Sequence, residues 1–399
     1  MGGRNVLTWQ MAWTAVPLSL CTAMAWAQES GPYYRAQRVA FGATFCVATG
    51  LNDAGDIVGT YQVAGGITRL YLRDHTTGVS SIPAAVFAGP YSAQRSPSIN
   101  SAGEIAFTGS RFDDNGLVSR AVILSQGTFT EVAPISGTFS DAARINNLGH
   151  ATGRAEAGPA SVHAFLFASG STIDLGQIEP PFGMQFQATG LNDADVVVGV
   201  GDNASGGSSG FLWDGAMMSL GGLRPAAINN DGVMCGATQV GQATRAFIRM
   251  PSGEVSILPT LGGRDSQLVS INAAGHAAGF SLLSNNSAAG IVWRDGTLSN
   301  LNDWLDRASR KARFSIASAT MINASGQILA SDGSGPLLLT PTDDCPADFN
   351  EDGGVDGADV AAFFVAWERG DILADVSVDG GVDAADVEVF FNAWEAGGC

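Results

Sequence analysis

The sequence predicts a mainly β protein: a seven-bladed β-propeller closed by its N-terminal strand, followed by a small α-helical domain with two calcium loops. Three observations predict this. An apolar-Asn-x-x-Gly string recurs seven times at steps of 37 to 51 residues, a spacing that marks a repeat architecture. Glycine fills 52 of the 399 positions, about twice the usual share, and comes with many Val, Ile, Phe and Thr, the composition of short strands and tight turns. The charge is lopsided: of a formal net −18, Cys345–Cys399 holds −12, from nine Asp, four Glu and one Arg. A second module therefore begins near residue 345. The acidity, together with a single lysine, Lys311, argues against nucleic acid as a partner, because phosphate binding needs clustered Lys and Arg.

The chain opens with Arg4, an apolar stretch from about Met11 to Met24, and Ala25-Trp26-Ala27 ahead of Gln28. That order reads as a signal peptide over residues 1–27, and the stretch falls short of the ~20 residues of a membrane-spanning helix. No other stretch is apolar enough to span a membrane, so the mature chain is expected outside the cell or at its surface. A lone strand-like run, Tyr34–Phe41, comes next.

The repeat region, 28–341, then begins. Its turns are Leu51-Asn52-Asp53-Ala54-Gly55, Ile99-Asn100-Ser101-Ala102-Gly103, Ile145-Asn146-Asn147-Leu148-Gly149 and Leu191-Asn192-Asp193-Ala194-Asp195, then Ile228-Asn229-Asn230-Asp231-Gly232, Ile271-Asn272-Ala273-Ala274-Gly275 and Ile322-Asn323-Ala324-Ser325-Gly326. Asn binds the backbone ahead of it, and the fourth turn residue takes a positive φ, which Gly and, in one copy, Asp195 tolerate. In five copies a further glycine follows: Gly59, Gly153, Gly199, Gly236 and Gly279. An aliphatic-aromatic run, a short turn and a last run complete each copy, as in Phe211-Leu212-Trp213, Asp214-Gly215 and Met218-Ser219-Leu220-Gly221. Four short strands are the content of one propeller blade. The seventh copy has three, ending at Leu337-Leu338-Leu339-Thr340. The early run would supply the missing strand and remove an exposed sheet edge. An open β-solenoid is the alternative arrangement.

With these turns, His163-Ala164-Phe165, the Phe-Leu-Trp run and the Leu-Gly ends, residues 33–341 resemble the HAF-repeat family of exported bacterial proteins. The resemblance implies a propeller-like fold. Copies two and seven lack the downstream glycine.

In the tail, domain 345–399, Asp348, Asn350, Asp352, Asp356 and Asp359 fall at positions 1, 3, 5, 9 and 12 of a twelve-residue loop, with Gly353 at the sharp turn and the Gly354 carbonyl as a further ligand. Ca²⁺ takes six to eight oxygen ligands, and this spacing wraps them around one point. The pattern recurs 27 residues later as Asp375, Ser377, Asp379, Gly381, Asp383 and Asp386. Val360, Phe363, Phe364 and Trp367 match Val387, Phe390, Phe391 and Trp394 at the same step, each set along one helical face. Two Ca²⁺ are the expected cofactors, and the apolar faces are read as packing between two helices. The tail resembles a type I dockerin, of the variant that opens with Cys345-Pro346-Ala347-Asp348 and closes on Gly398-Cys399. A dockerin-like domain implies a cohesin-like module or cell-surface scaffold as partner. The positions that read the partner in that family are Gly357-Ala358 and Ala384-Ala385 here.

Export permits disulfides. Cys345 and Cys399 bracket the tail and are read as a staple, the other use of Cys399 being a sorting or attachment site. Cys46 and Cys235 read as small buried hydrophobes.

No active site is legible. Of the four histidines, His75, His150, His163 and His276, His150 and His276 share one slot after the turn, which repeat geometry explains. Gly206-Gly207-Ser208-Ser209-Gly210 lacks the strand before and the helix after that a nucleophile elbow needs. If the strand before each Asn is innermost, the channel presents Val47, Ala48, Thr49, Ser98, Ala143, Thr189, Ala227, Ser270 and Thr320, with Arg144 as its charged exception and no acid pair for glycan cleavage. The expected function is an exported, non-catalytic binding or surface protein, with a glycan or protein as the propeller's ligand. The alternatives are a secreted carbohydrate-active enzyme and a structural cell-surface component.

Overall fold

The computed structural model describes residues 33–39, 45–81, 90–114, 116–178, 182–203, 207–342, 345–352, 354–377 and 379–395. The expected signal peptide and Cys399 lie outside them. The described residues form one compact unit.

The seven-fold string becomes seven sets of strands. The first sheet is Cys46–Leu51, Ile57–Gln62, Thr68–Arg73 and Ser80–Ser81. The second is Ala93–Ile99, Ile105–Asp113, Gly116–Ser125 and Thr128–Val132. The third is Ser140–Ile145, Ala151–Gly158, Ser161–Ala168 and Ser171–Asp174. The fourth, Phe182–Leu191, Val197–Asn203, Ser208–Trp213 and Met217–Gly221, touches the third by one parallel bridge, Val162 to Gln185. The fifth is Leu223–Ile228, Met234–Val240, Ala243–Arg249 and Val255–Ile257. The sixth is Gly262–Ile271, Ala277–Leu283, Ala288–Arg294 and Thr297–Asn300. The seventh has Ser318–Ile322, Ile328–Ser331 and Pro336–Thr342, and its fourth strand is Tyr33–Arg38 from the other end of the region. Within each set neighbouring strands are antiparallel.

The apolar cores lie between consecutive sheets. Val58 and Leu70 of the first meet Ile99 and Phe107 of the second, and Val198 of the fourth meets Ile228 and Met234 of the fifth. The seventh packs on the sixth through Leu337 and Val292, and on the first through Leu329, Leu338, Leu51 and Ile57.

Each turn joins the first strand of its set to the second and is built as its residues require. Gly55 N donates to Asn52 O at 3.1 Å, with Gly55 at φ +96°, and Asp195 holds the same place at φ +62°. The Asn side-chain oxygen accepts the backbone N–H four residues on, at 2.8 Å for Asp56 and 2.9 Å for His276. The side-chain amide turns outward to the next repeat. Asn52 Nδ2 donates to Asn100 O at 3.1 Å, Asn100 to Asn146 O at 2.9 Å, Asn146 to Asn192 O at 3.0 Å and Asn192 to Asn229 O at 3.1 Å. Asn229 donates to Asn272 O at 3.1 Å, Asn272 to Asn323 O at 3.0 Å, and Asn323 back to Asn52 O at 3.0 Å. All seven asparagines are at most 6% exposed.

The downstream glycines answer a second constraint. The first strand of each set slips register by a bulge just before the turn, as between Ala142 and Arg144. A bulge re-aims the local backbone, and here it drives a carbonyl onto the second strand. A Cβ on Gly153 would stand 1.9 Å from Asp141 O, and one on Gly199 2.2 Å from Gln187 O.

The strand Tyr33–Arg38 is held along its length. It pairs with Pro336–Thr342 from Tyr33↔Thr342 to Arg38↔Leu337. A short helix, α1 (Arg307–Lys311), borders it: Arg35 Nε meets the helix-capping Asp306 at 2.5 Å, and Ala36 N donates to Ser309 Oγ at 2.8 Å. Arg38 Nη2 lies 2.5 Å from Asp332 Oδ2. Burial pushes the Asp332 carboxyl up, but the Arg38 and Ser334 hydrogen bonds outweigh it and hold the group down at about 2.

Two outcomes follow from these contacts. Asn229→Ala leaves Val233 N without its acceptor and removes one of the two donors to Asn272 O, which keeps Gly275 N, and should cost about 1–3 kcal/mol in denaturant unfolding, whereas Asp231→Ala, exposed in the same turn, should cost about 0.5 kcal/mol or less. Because the Asp332 pKa is lower folded than unfolded, its stabilisation is present above about pH 4 and is lost as pH falls towards 2. In a pH series of melting temperatures, Asp332→Asn should flatten the curve in that window and leave its shape unchanged above it.

Candidate metal centre

The tail folds into two loop-helix units. Helix α2 (Gly357–Glu368) starts at an N-cap Asp356 whose side chain accepts from Ala358 N, and Asp359 returns the bond to complete a capping box. Helix α3 is Ala384–Glu395. The two loops share a set of backbone-to-carboxylate hydrogen bonds. Asp359 Oδ1 accepts from Asn350 N at 3.0 Å and Oδ2 from Asp356 N at 2.8 Å. Asp386 Oδ1 accepts from Ser377 N at 2.9 Å and Oδ2 from Asp383 N at 2.8 Å. Asp352 N donates to Asp348 Oδ1 at 3.1 Å, as Asp379 N does to Asp375 Oδ1 at 3.2 Å. Gly354 N and Gly381 N donate to Asp352 and Asp379, both at 2.9 Å.

The helices cross-brace the loops. Trp367 Nε1 donates to Asp383 O in the second loop at 3.0 Å, and Trp394 Nε1 to Asp356 O in the first at 3.4 Å. Between them Phe363 and Phe390 are fully buried and stacked, centroids 4.3 Å apart. The aromatic faces therefore pack the helices together, as the sequence predicts.

These residues suit a hard cation. Asp359 and Asp386 are wholly buried and Asp375 nearly so. Burial, and then the negative charge of Asp386, push the Asp375 carboxyl above its ordinary value. Buried like charges of this kind call for a counter-ion. A Cβ on Gly381 would lie 3.4 Å from Asp379 Oδ1 and 3.7 Å from Asp383 Oδ2, so glycine leaves that space between carboxylates open. Each carboxylate oxygen that accepts one N–H keeps a lone pair for a metal. Gly353 lies outside the described residues, and Gly380 takes φ +91°.

The tail also docks on the repeat region, through contacts no sequence motif announced. Arg307 Nη1 donates to Asp348 O at 2.9 Å and to Phe349 O at 2.8 Å, its guanidinium 4.2 Å over the Phe349 ring. Arg310 Nη1 donates to Asp375 O at 2.8 Å. One face of α1 thus grips the first residue of both loops while its N-terminal end holds Tyr33–Arg38.

Other candidates separate. Cys345 is disulfide-bonded, and Cys399 lies outside the described residues. Cys46 and Cys235 are free, and Cys235 is buried. Ser208 opens a hairpin strand that follows Val197–Asn203. A strand does therefore precede the Gly-x-Ser-x-Gly string, contrary to the sequence reading, but another strand follows it and no helix. His150 N and His276 N both donate to the turn asparagine, at 3.0 and 2.9 Å. Asp56, Asp74 and His75 bring ligand atoms within 4.8 Å of one another, a group scattered over 19 positions that sequence spacing does not show.

No family model and no curated protein matches the chain. Among solved structures, a streptogramin B lyase is 13% identical with a TM-score of 0.45, covering 78% of this chain and 98% of that one. A gluconolactonase of Xanthomonas campestris is 9% identical at 0.44, covering 79% and 93%. The β-propeller domain of the trilobed protease from Pyrococcus furiosus is 12% identical at 0.36, covering 66% and 99%. At these values the likenesses assign no role to any residue here.

Arg307→Ala removes two charge-assisted hydrogen bonds, each worth about 1.5–3 kcal/mol. Amide exchange in the first loop should rise at least tenfold, with exchange in the Asn229 turn unchanged, as read by exchange mass spectrometry.

Proposed function

We propose that this chain is an exported binding and surface protein without catalysis of its own. Its seven sheets are the blades of a ring closed by Tyr33–Arg38, and its dockerin-like tail takes two Ca²⁺ and engages a cohesin-like module or a cell-surface scaffold. Seven inter-sheet cores and the asparagine bonds that return to Asn52 support the closed ring. The observation that carries the display role is the set of backbone-to-carboxylate hydrogen bonds that the two loops share around the buried Asp359 and Asp386.

Asp348, Asn350, Asp352, Asp356, Asp359 and the Gly354 carbonyl would hold one ion. Asp375, Ser377, Asp379, Asp383, Asp386 and the Gly381 carbonyl would hold the other. Ca²⁺ supplies positive charge among eight Asp carboxylates that otherwise repel one another. The chain supplies the rest: the N-caps fix the last carboxylate of each loop, and the crossed tryptophans tie each loop to the opposite helix. Gly357, Ala358 and Ala384 stand exposed beside the loops, available to a partner. The Cys345–Cys399 staple would close the module.

A binding role for the channel is supported by how its acids are used. Asp53 accepts from Ala324 N at 2.9 Å and Ser101 Oγ at 3.3 Å, and Asp193 accepts from Asn147 N and Asn230 Nδ2, both at 2.8 Å. These carboxylates tie turn to turn rather than standing free for acid-base chemistry.

Calorimetry on the EDTA-treated full chain should show two Ca²⁺ sites, with Asp352→Ala and Asp379→Ala each removing or weakening one by tenfold or more. Trp367 and Trp394 fluorescence should change with the same stoichiometry. No heat and no spectral change on adding Ca²⁺ would overturn the proposal.

A further inference from the structure

The space enclosed by the first strands of the seven sheets holds a cation that the display role leaves unused. Arg144 stands two residues before its turn asparagine, where the other repeats carry Gly50, Ser98, Gly190, Ala227, Ser270 and Met321. It is the one charged residue in that slot. Its side chain borders two cavities. One, of about 210 Å³, is lined by all seven turn asparagines. The other, of about 770 Å³, is lined by Gln187, Ser208, Arg224 and Gln267 among others. Among the described residues, Arg144 and Val269 alone line both.

Arg144 is poorly compensated. Its Nη1 donates to the neighbouring Ala143 O at 2.9 Å, and among the described residues no carboxylate pairs with it. Arg38, Arg111, Arg154 and Arg264 by contrast each meet an acid. Burial pulls the Arg144 guanidinium below its ordinary value, and the ionisable group that acts against this is the Cys235 thiol, itself pushed up to about 12 by burial. A half-buried charge without a carboxylate partner is poorly compensated, and a guanidinium lining a cavity is a fork for a planar or tetrahedral oxyanion.

The two cavities differ in sign. Asp53 and Asp193 border the smaller one and disfavour an anion there. The larger one adds a second cation, Arg224, and its carboxylate, Asp265, is occupied by Thr244 N at 2.8 Å and Arg264 Nε at 3.0 Å. Its size lies in the ~300–1,000 Å³ range of small-molecule sites.

We propose that Arg144 anchors an oxyanion site in the channel, and that the larger cavity takes a small molecule bearing a carboxylate, sulfate or phosphate group. This rests on the closed-ring reading but not on the tail. The full chain would be titrated with inorganic phosphate, sodium sulfate, sodium galacturonate and neutral galactose, at ionic strength held with sodium chloride, by calorimetry and by melting temperature. The oxyanions should bind and raise the melting temperature while galactose does neither. Arg144→Gln should weaken oxyanion binding tenfold or more, Arg144→Lys should retain part of it, and Arg144→Gln without ligand should melt no lower than wild type. Equal binding of phosphate and galacturonate identifies the oxyanion as what is read; tighter galacturonate places the sugar in the larger cavity as well. Absence of binding by every oxyanion, or unchanged binding by Arg144→Gln, overturns the site while turn amides still protected from exchange leave the ring standing. Turn amides unprotected in wild type overturn both.

Discussion

A buried asparagine side chain has an acceptor and a donor group to satisfy, and in this protein the two are spent in different repeats. The oxygen closes its own turn by taking the N–H four residues on, and the amide reaches the backbone of the next asparagine. Because every copy does this, each turn is complete only when its neighbour is in place. Local and long-range structure are thereby fixed by one residue type. A net hydrogen bond is worth about 1 kcal/mol, so no single link holds the region, but a break leaves a buried polar group exposed to its full desolvation cost.

The other features serve this arrangement. The bulge before each turn presses a carbonyl against the second strand, and Gly153 or Gly199 accepts it where any side chain would collide. The ends of the region meet because the seventh sheet is one strand short, and Tyr33–Arg38 fills the gap in register with Pro336–Thr342. Helix α1 then links that junction to the tail: Asp306 and Ser309 hold the N-terminal strand, while Arg307 and Arg310 hold the starts of the two acidic loops. The junction and the starts of both acidic loops therefore rest on the same five-residue helix.

Much of this was legible in the residues. The Asn-x-x-Gly string announced both the turns and their number, and the missing last strand of the seventh copy pointed to the run near Tyr34. The 27-residue step in the tail foretold the matched loops and the stacked Phe363 and Phe390. What stayed hidden were contacts between residues far apart in the chain. Spacing shows that Asn52 can close its own turn; it does not show that Asn323 Nδ2 will reach Asn52 O, 271 positions away. The five glycines were visible as a pattern, but their reason, a carbonyl at 1.9 to 2.2 Å from a would-be Cβ, appears only once the bulge is placed. Nothing local in the sequence marks Arg307 and Arg310 as donors to Asp348 and Asp375. Arg144 stood out in the sequence as a charged exception, and the structure places it at the border of two cavities.

The most direct test of the central claim is residue-resolved amide exchange at the seven turn donors in Asn323→Ala, namely Asp56, Glu104, His150, Val196, Val233, His276 and Gln327. If the asparagines couple each repeat to the next, exchange should accelerate at Gln327, then at Asp56 and His276 on either side, and least at His150 and Val196. If only Gln327 accelerates, the turns are independent and the account fails.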